Sequence, residues 1–112
     1  MSRITDEQVE AVRGVVAAIP VGRVSTYGDI AQAVGLPSPR IVAWIMRTDS
    51  SDLPWYRVIR ADGRPAPHLA TRQLAALADD GVSAVDGRVP LASVRHRPDP
   101  PAQADLLDDG LG

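Results

Sequence analysis

Between Thr26 and Arg47 the chain carries two helix starts with a glycine stop between them, and this pattern constrains its fold more than any other feature. Thr26 reads as the N-cap of a short helix from Tyr27 to about Val34, with Ile30, Ala31 and Val34 facing inward and Gly35 as the stop. Ser38 then caps a second helix. Pro39 sits at its first position, where a missing N–H costs nothing, and Arg40 to Arg47 carry Ile41, Val42, Ile45 and Met46. Two short helices joined by a tight, glycine-containing turn predict a helix-turn-helix.

The flanking segments extend that motif into a mainly α domain. Residues 5 to 18 read as a helix, with Thr5 and Gln8 as a capping box, Val9, Val12, Val16 and Ile19 at helical spacing, and Pro20 and Gly22 as the terminators. After Pro54 the pattern changes: Tyr56 to Ile59 is β-prone, Ala61-Asp62-Gly63-Arg64 is a turn signal, and Pro65 and Pro67 forbid regular structure beyond it. A small hairpin or wing is expected there. Leu69 to about Asp80 predicts a fourth helix with Leu74 and Leu77 on one face and Gly81 at its end, and Val85 to Val89 predicts a turn flanked by valines. The expected fold is a mainly α, winged-helix-like domain over residues 1 to 97. Residues 98 to 112, rich in Pro and Asp and poor in apolar side chains, are expected to form an acidic tail without fixed structure.

Composition narrows the function. The chain has 112 residues, enough for one hydrophobic core, and no apolar run approaches the ~18 residues of a membrane span. There is no cysteine, which excludes disulfides, thiolate metal sites and any cysteine nucleophile. The N-terminal MSRITDEQ has no apolar stretch behind Arg3, so the expected compartment is the cytoplasm. The net charge of −2 conceals an uneven distribution: residues 1 to 97 hold twelve arginines against ten acids, and the rest holds four acids and no base. Neither a phosphate-cradling glycine loop nor a metal-ligand spacing occurs, and His68 and His96 stand far apart, so no cofactor and no metal are expected.

From Ile19 to Ile59 the chain reads IPVGRVSTYGDIAQAVGLPSPRIVAWIMRTD, and then LPWYRVI. This resembles the DNA-binding domain of the O6-alkylguanine-DNA alkyltransferases, which share IPxGxVxTYGxIA, a PxxxRxVGxAM helix and the active-site loop PCHRV. The resemblance covers about residues 8 to 89. Trp55 stands where those repair enzymes hold the alkyl-accepting cysteine, which makes the chain similar to the alkyltransferase-like proteins, the non-catalytic branch. The chemistry agrees independently, because alkyl transfer from guanine O6 needs an ionisable thiolate and an indole cannot replace one. Tyr56 takes the histidine position of PCHRV and Asp49 the usual asparagine position. The glutamate of the following helix has no clear counterpart, the nearest residues being Gln73 and Leu74.

The resemblance implies minor-groove docking of the second helix and extrusion of the damaged nucleotide. Arg40 matches the arginine that fills the vacated space, and Tyr27 matches the tyrosine that presses on the backbone beside the lesion. Thr26, Tyr27, Arg40, Ala43 and Arg47 are thus the expected DNA contacts, with Arg23 and Arg60 as further phosphate ligands. Trp55, Tyr56, Tyr27, Asp49 and Arg57 are the expected residues of the lesion pocket. Arg57 is expected to buttress the loop by hydrogen bonds, and Tyr56 either donates to the guanine or fills the histidine's space. Ala43 allows close approach to the groove. Trp44 replaces a commonly small residue, and packing inward is the commoner fate of a tryptophan on an amphipathic helix.

The expected function is binding of O6-alkylguanine in double-stranded DNA by one copy of the chain, without alkyl transfer and without a membrane partner. By resemblance, the bound complex marks the lesion for nucleotide-excision repair and its damage-recognition proteins. The alternative, a winged-helix transcription regulator on undamaged operator DNA, requires dimerisation and major-groove side chains. The TYG and PWYRV motifs speak against it. An enzyme using Asp49 or Tyr56 as a base lacks an activated nucleophile, a metal motif or a carboxylate pair.

Overall fold

The computed structural model describes residues 4–100, and most of the expected acidic tail lies outside them. Three helices form the first half: α1 (Asp6–Ala17), α2 (Tyr27–Val34) and α3 (Pro39–Thr48). Each begins where the sequence places a cap. Thr5 and Gln8 close a reciprocal capping box at 3.0 and 2.9 Å, and the Ser38 hydroxyl accepts from the Arg40 amide at 3.1 Å. Helix α2 ends at Gly35 with φ +84°, from which both Gly35 and Leu36 donate back to the Ala31 carbonyl.

The small sheet differs from the expected hairpin. β1 (Ser25–Thr26) pairs in parallel with β2 (Val58–Ile59), in the register Ser25 with Val58 and Thr26 with Ile59. A hairpin folding back on β2 would draw its return strand from a segment holding Pro65 and Pro67, which have no N–H to donate to a ladder. The turn itself forms, with Gly63 donating to the Arg60 carbonyl. It then packs on Val89: Gly63 has φ +77°, and a Cβ there would lie 2.7 Å from the Val89 carbonyl oxygen, so only glycine fits. Val24 lies beside Arg95 in a further parallel bridge, with His96 donating to the Val24 carbonyl.

These strands join two apolar clusters. Val12, Val16, Ile19, Ile30, Val42, Ile45 and Val58 belong to the larger, between α1, α2 and α3. Val24, Ile59, Leu77, Val82 and Val89 make the smaller, beneath α4 (Ala70–Asp79) and α5 (Leu91–Val94). Successive strand residues point to opposite faces, so Val58 enters one cluster and Ile59 the other. The segment carrying Trp55 and Tyr56, a 3₁₀ turn over Trp55–Arg57, is therefore held between the two. Among the described residues no helix is long and apolar enough to cross a membrane.

Candidate nucleic-acid interface

Helix α3 buries Val42, Ile45 and Met46 and turns Arg40, Trp44 and Arg47 outward. These last three follow at i, i+4 and i+7, which on a 3.6-residue helix places them in one stripe. Arg40 and Arg47 make no ion pair among the described residues, and α3 contains no acid. Both guanidinium groups are thus available for phosphate or base contact. Ala43 is half-buried beside the stripe. Trp44, whose direction the sequence left open, is 47% exposed, because the inward positions of this short helix are already filled by Val42, Ile45 and Met46.

A cleft of about 210 Å³ opens at the C-terminal end of α3. That is below the ~300 Å³ at which clefts for drug-sized ligands begin, and it suits one flat group. Tyr27 and Trp55 line it, as do Met46, Arg47 and Thr48 from α3, Ser50 and Ser51 after it, Leu69 just before α4 and Arg72 in its first turn. Burial pushes the Tyr27 hydroxyl above its usual range, and the nearby Arg47 charge pulls only partly the other way. The phenol therefore stays protonated at neutral pH, as a hydrogen-bond donor at the cleft. The Arg72 guanidinium lies 5.5 Å from the centre of the Trp55 ring, and the Tyr56 ring meets Trp55 edge-on at 5.9 Å.

Three residues expected in the pocket do not line this cleft. Asp49 caps the C-terminus of α3 and turns toward α1, where Arg13 donates to its carbonyl at 2.9 Å and its carboxylate at 3.2 Å. Arg13 also holds Asp52 at 2.6 and 3.1 Å, so one arginine ties the whole loop down. Tyr56 packs against the smaller apolar cluster, whereas Trp55 packs against the larger one and lines the cleft. Arg57 lies behind the loop. It donates to both carboxylate oxygens of Asp80, at 2.7 and 3.2 Å, and to the Ile19 carbonyl at 3.1 Å. Buried Gln73 completes the support by donating to the Tyr56 and Val58 carbonyls at 3.1 and 2.7 Å.

Thr26 is buried as well, 3% exposed, and its hydroxyl accepts from the Asp29 amide at 3.0 Å. In this structure it holds the helix that presents Tyr27 and offers no side chain to a ligand. Of the further arginines, Arg60 is paired with Asp62 at 2.8 Å and Arg23 donates to the Ser93 carbonyl at 3.3 Å. Sequence reasoning missed Arg72 and the Ser50–Ser51 wall. No local signal marks Arg72, because its relation to Trp55 exists only once α4 folds over the loop.

Residues 7–82 match the family model described as 6-O-methylguanine DNA methyltransferase, DNA binding domain. A DNA base-flipping protein of Escherichia coli is 34% identical over 96 residues, which span 80% of this chain and 74% of that protein. Alkyltransferase-like protein 1 of Schizosaccharomyces pombe is 44% identical over 61 residues, 52% of this chain and 56% of that one. The fold superimposes with TM-score 0.77 on the crystal structure of S. pombe Atl1 in complex with damaged DNA containing O6-carboxymethylguanine, covering 87% of this chain and 100% of that one at 31% identity.

Proposed function

This chain belongs to the 6-O-methylguanine DNA methyltransferase DNA-binding family, in its alkyltransferase-like branch with Trp55 at the acceptor position, and on that premise we propose that it is a sensor of O6-alkylguanine in duplex DNA. One observation carries the reading: a stripe of unpaired arginines on α3 runs into a cleft walled by Tyr27 and Trp55, on a chain without a single thiol. The stripe suits a phosphate-walled groove, and the cleft suits one extruded base.

In this reading α3 lies in the minor groove and Arg40 fills the space of the displaced nucleotide. Its planar cation stacks on neighbouring bases and bonds the orphaned partner. Tyr27 turns the nucleotide toward the cleft, where its base meets the indole of Trp55. Extrusion costs a few kcal/mol, and less where an O6-alkyl group has already weakened the pair, so selection for damage begins before the pocket is entered. The apolar wall then adds roughly 0.8 kcal/mol per buried alkyl carbon. Arg57, Asp80 and Gln73 keep the loop in place without touching the base.

The chain has no thiol to accept an alkyl group, which supports reading it as a binding protein and not an enzyme. The bound complex itself is the signal. Nucleotide-excision-repair damage-recognition proteins are the partners that would act on it, with the protein working as a monomer on cytoplasmic, nucleoid DNA. Titration of two duplexes identical except for guanine or O6-methylguanine at one position, followed by mass analysis of the recovered DNA, tests this. Selective binding with the methyl group retained is expected. Methyl loss would overturn the non-catalytic reading, and equal weak binding to both duplexes would return the chain to the operator-binding class.

A further inference from the structure

Three large hydrophobic side chains are exposed among the described residues, Val21, Trp44 and Val85, and Trp44 is the only aromatic one. It lies in the middle of α3 with Arg40 one turn before it and Arg47 one turn after it, on a helix without acidic residues. Among the described residues no aromatic or cation-over-ring contact involves its indole, and about half of the side chain faces solvent. An apolar ring between two unpaired cations matches neither an acidic nor a purely apolar surface. A groove whose walls are phosphates and whose floor is sugar and base edges matches both parts at once.

We propose that Trp44 is a second wedge, an indole that presses into the minor groove beside the arginine that enters the duplex. This rests on the reading that α3 docks on DNA and adds to it a contact outside the cleft. The four residues from Arg40 to Trp44 span ~6 Å along the helix axis. With base pairs ~3.4 Å apart, the indole meets the duplex about two base pairs from the Arg40 insertion point. A groove ~6 Å wide receives a ring only by opening, so the contact also favours a bent duplex. Because Trp44 lies outside the cleft, its contribution is the same for damaged and undamaged DNA. It strengthens docking, and Trp55 carries the discrimination.

Two measurements test this. Trp44→Ala, whose fold is checked by urea denaturation, is expected to weaken binding of the guanine and the O6-methylguanine duplex alike by about tenfold, with their ratio unchanged. In a Trp55→Phe background Trp44 is the sole tryptophan, and its fluorescence is expected to be quenched and shielded from acrylamide by either duplex. Wild-type affinity in Trp44→Ala overturns the inference, as does an indole left open to acrylamide in the complex, and in either case lesion binding by the wild type leaves the sensor reading intact. A loss confined to the methylated duplex would place the indole at the lesion and also overturn it. Failure of the wild type to bind any duplex would remove both readings together.

Discussion

Arg95, near the end of the described chain, holds the buried carboxylate of Asp29 through two hydrogen bonds of 2.7 and 3.0 Å across 66 positions of sequence. Asp29 is also the third residue of α2 and accepts from the Thr26 amide at 3.1 Å, so one carboxylate closes the capping box and receives the guanidinium. Burial alone would raise its pKa. The Arg95 hydrogen bonds, together with those from Thr26, more than offset burial and bring it below the usual carboxylate range. The helix that presents Tyr27 is thereby clamped by the C-terminal segment.

Replacing Arg95 with Met is expected to lower stability at pH 7 by about 1–2 kcal/mol in urea denaturation. This is below the cost of breaking a fully buried pair, because the Arg95 side chain is 36% exposed and partly screened. In the wild type the lowered Asp29 pKa contributes stability above about pH 4, the unfolded value, and that contribution is lost as pH falls through the folded one. Without Arg95 the carboxylate gains its proton at higher pH than in the wild type, so the gap between variant and wild type narrows as pH falls through the variant's titration and then the wild type's. A gap independent of pH would dissociate Arg95 from the Asp29 charge.

The pair Arg57–Asp80 is more deeply set, with side chains 12% and 10% exposed. Arg57→Ala leaves Asp80 without its cation and Ile19 without its donor, and is expected to cost about 3 kcal/mol. Arg57→Lys is expected to recover little of this, because an ammonium cannot bond two carboxylate oxygens and a carbonyl with one planar fork. Equal stability of the Lys variant and the wild type, read from urea midpoints, would show the fork geometry to be unimportant.

Arg40→Ala is expected to reduce affinity for an O6-methylguanine duplex by at least tenfold, about 1.4 kcal/mol, with the unfolding midpoint unchanged, since Arg40 is exposed and unpaired. Arg47→Ala is expected to weaken both duplexes and to reduce the slope of log affinity against log salt by about one, the mark of a lost phosphate contact. Fluorescence anisotropy over a salt series separates these effects. An unaltered lesion affinity in Arg40→Ala would remove the insertion role.

Trp55→Ala is expected to flatten the ranking of O6-alkyl groups more than it weakens DNA binding overall. In the proposed complex each alkyl carbon buried against the indole would be worth ~0.8 kcal/mol, so its loss shrinks the spread between methyl and longer groups by several-fold per carbon. Competition titrations with a series of alkylated duplexes read this directly. A ranking equal to that of the wild type would return Trp55 to a purely structural role.

Helix boundaries were legible because their signals are local. The Thr5, Thr26 and Ser38 caps, Pro39 at the first turn of α3 and Gly35 after α2 act within a few residues, and α1 to α3 begin and end close to where they direct. The absence of cysteine and the TYGDIA and PWYRV motifs are likewise properties of the chain alone, and they exclude thiolate transfer and identify the family before any folding is considered. Tertiary structure decided what depends on distant partners. β2 pairs in parallel with Ser25–Thr26 instead of antiparallel with its own return segment, because a hairpin ladder needs N–H donors that Pro65 and Pro67 cannot supply. Asp49 faces Arg13 and Tyr56 enters the smaller cluster, while Arg72 reaches Trp55 from another helix. Those positions follow from which surfaces meet when two apolar clusters close around one short sheet, a relation between segments that no window of sequence contains.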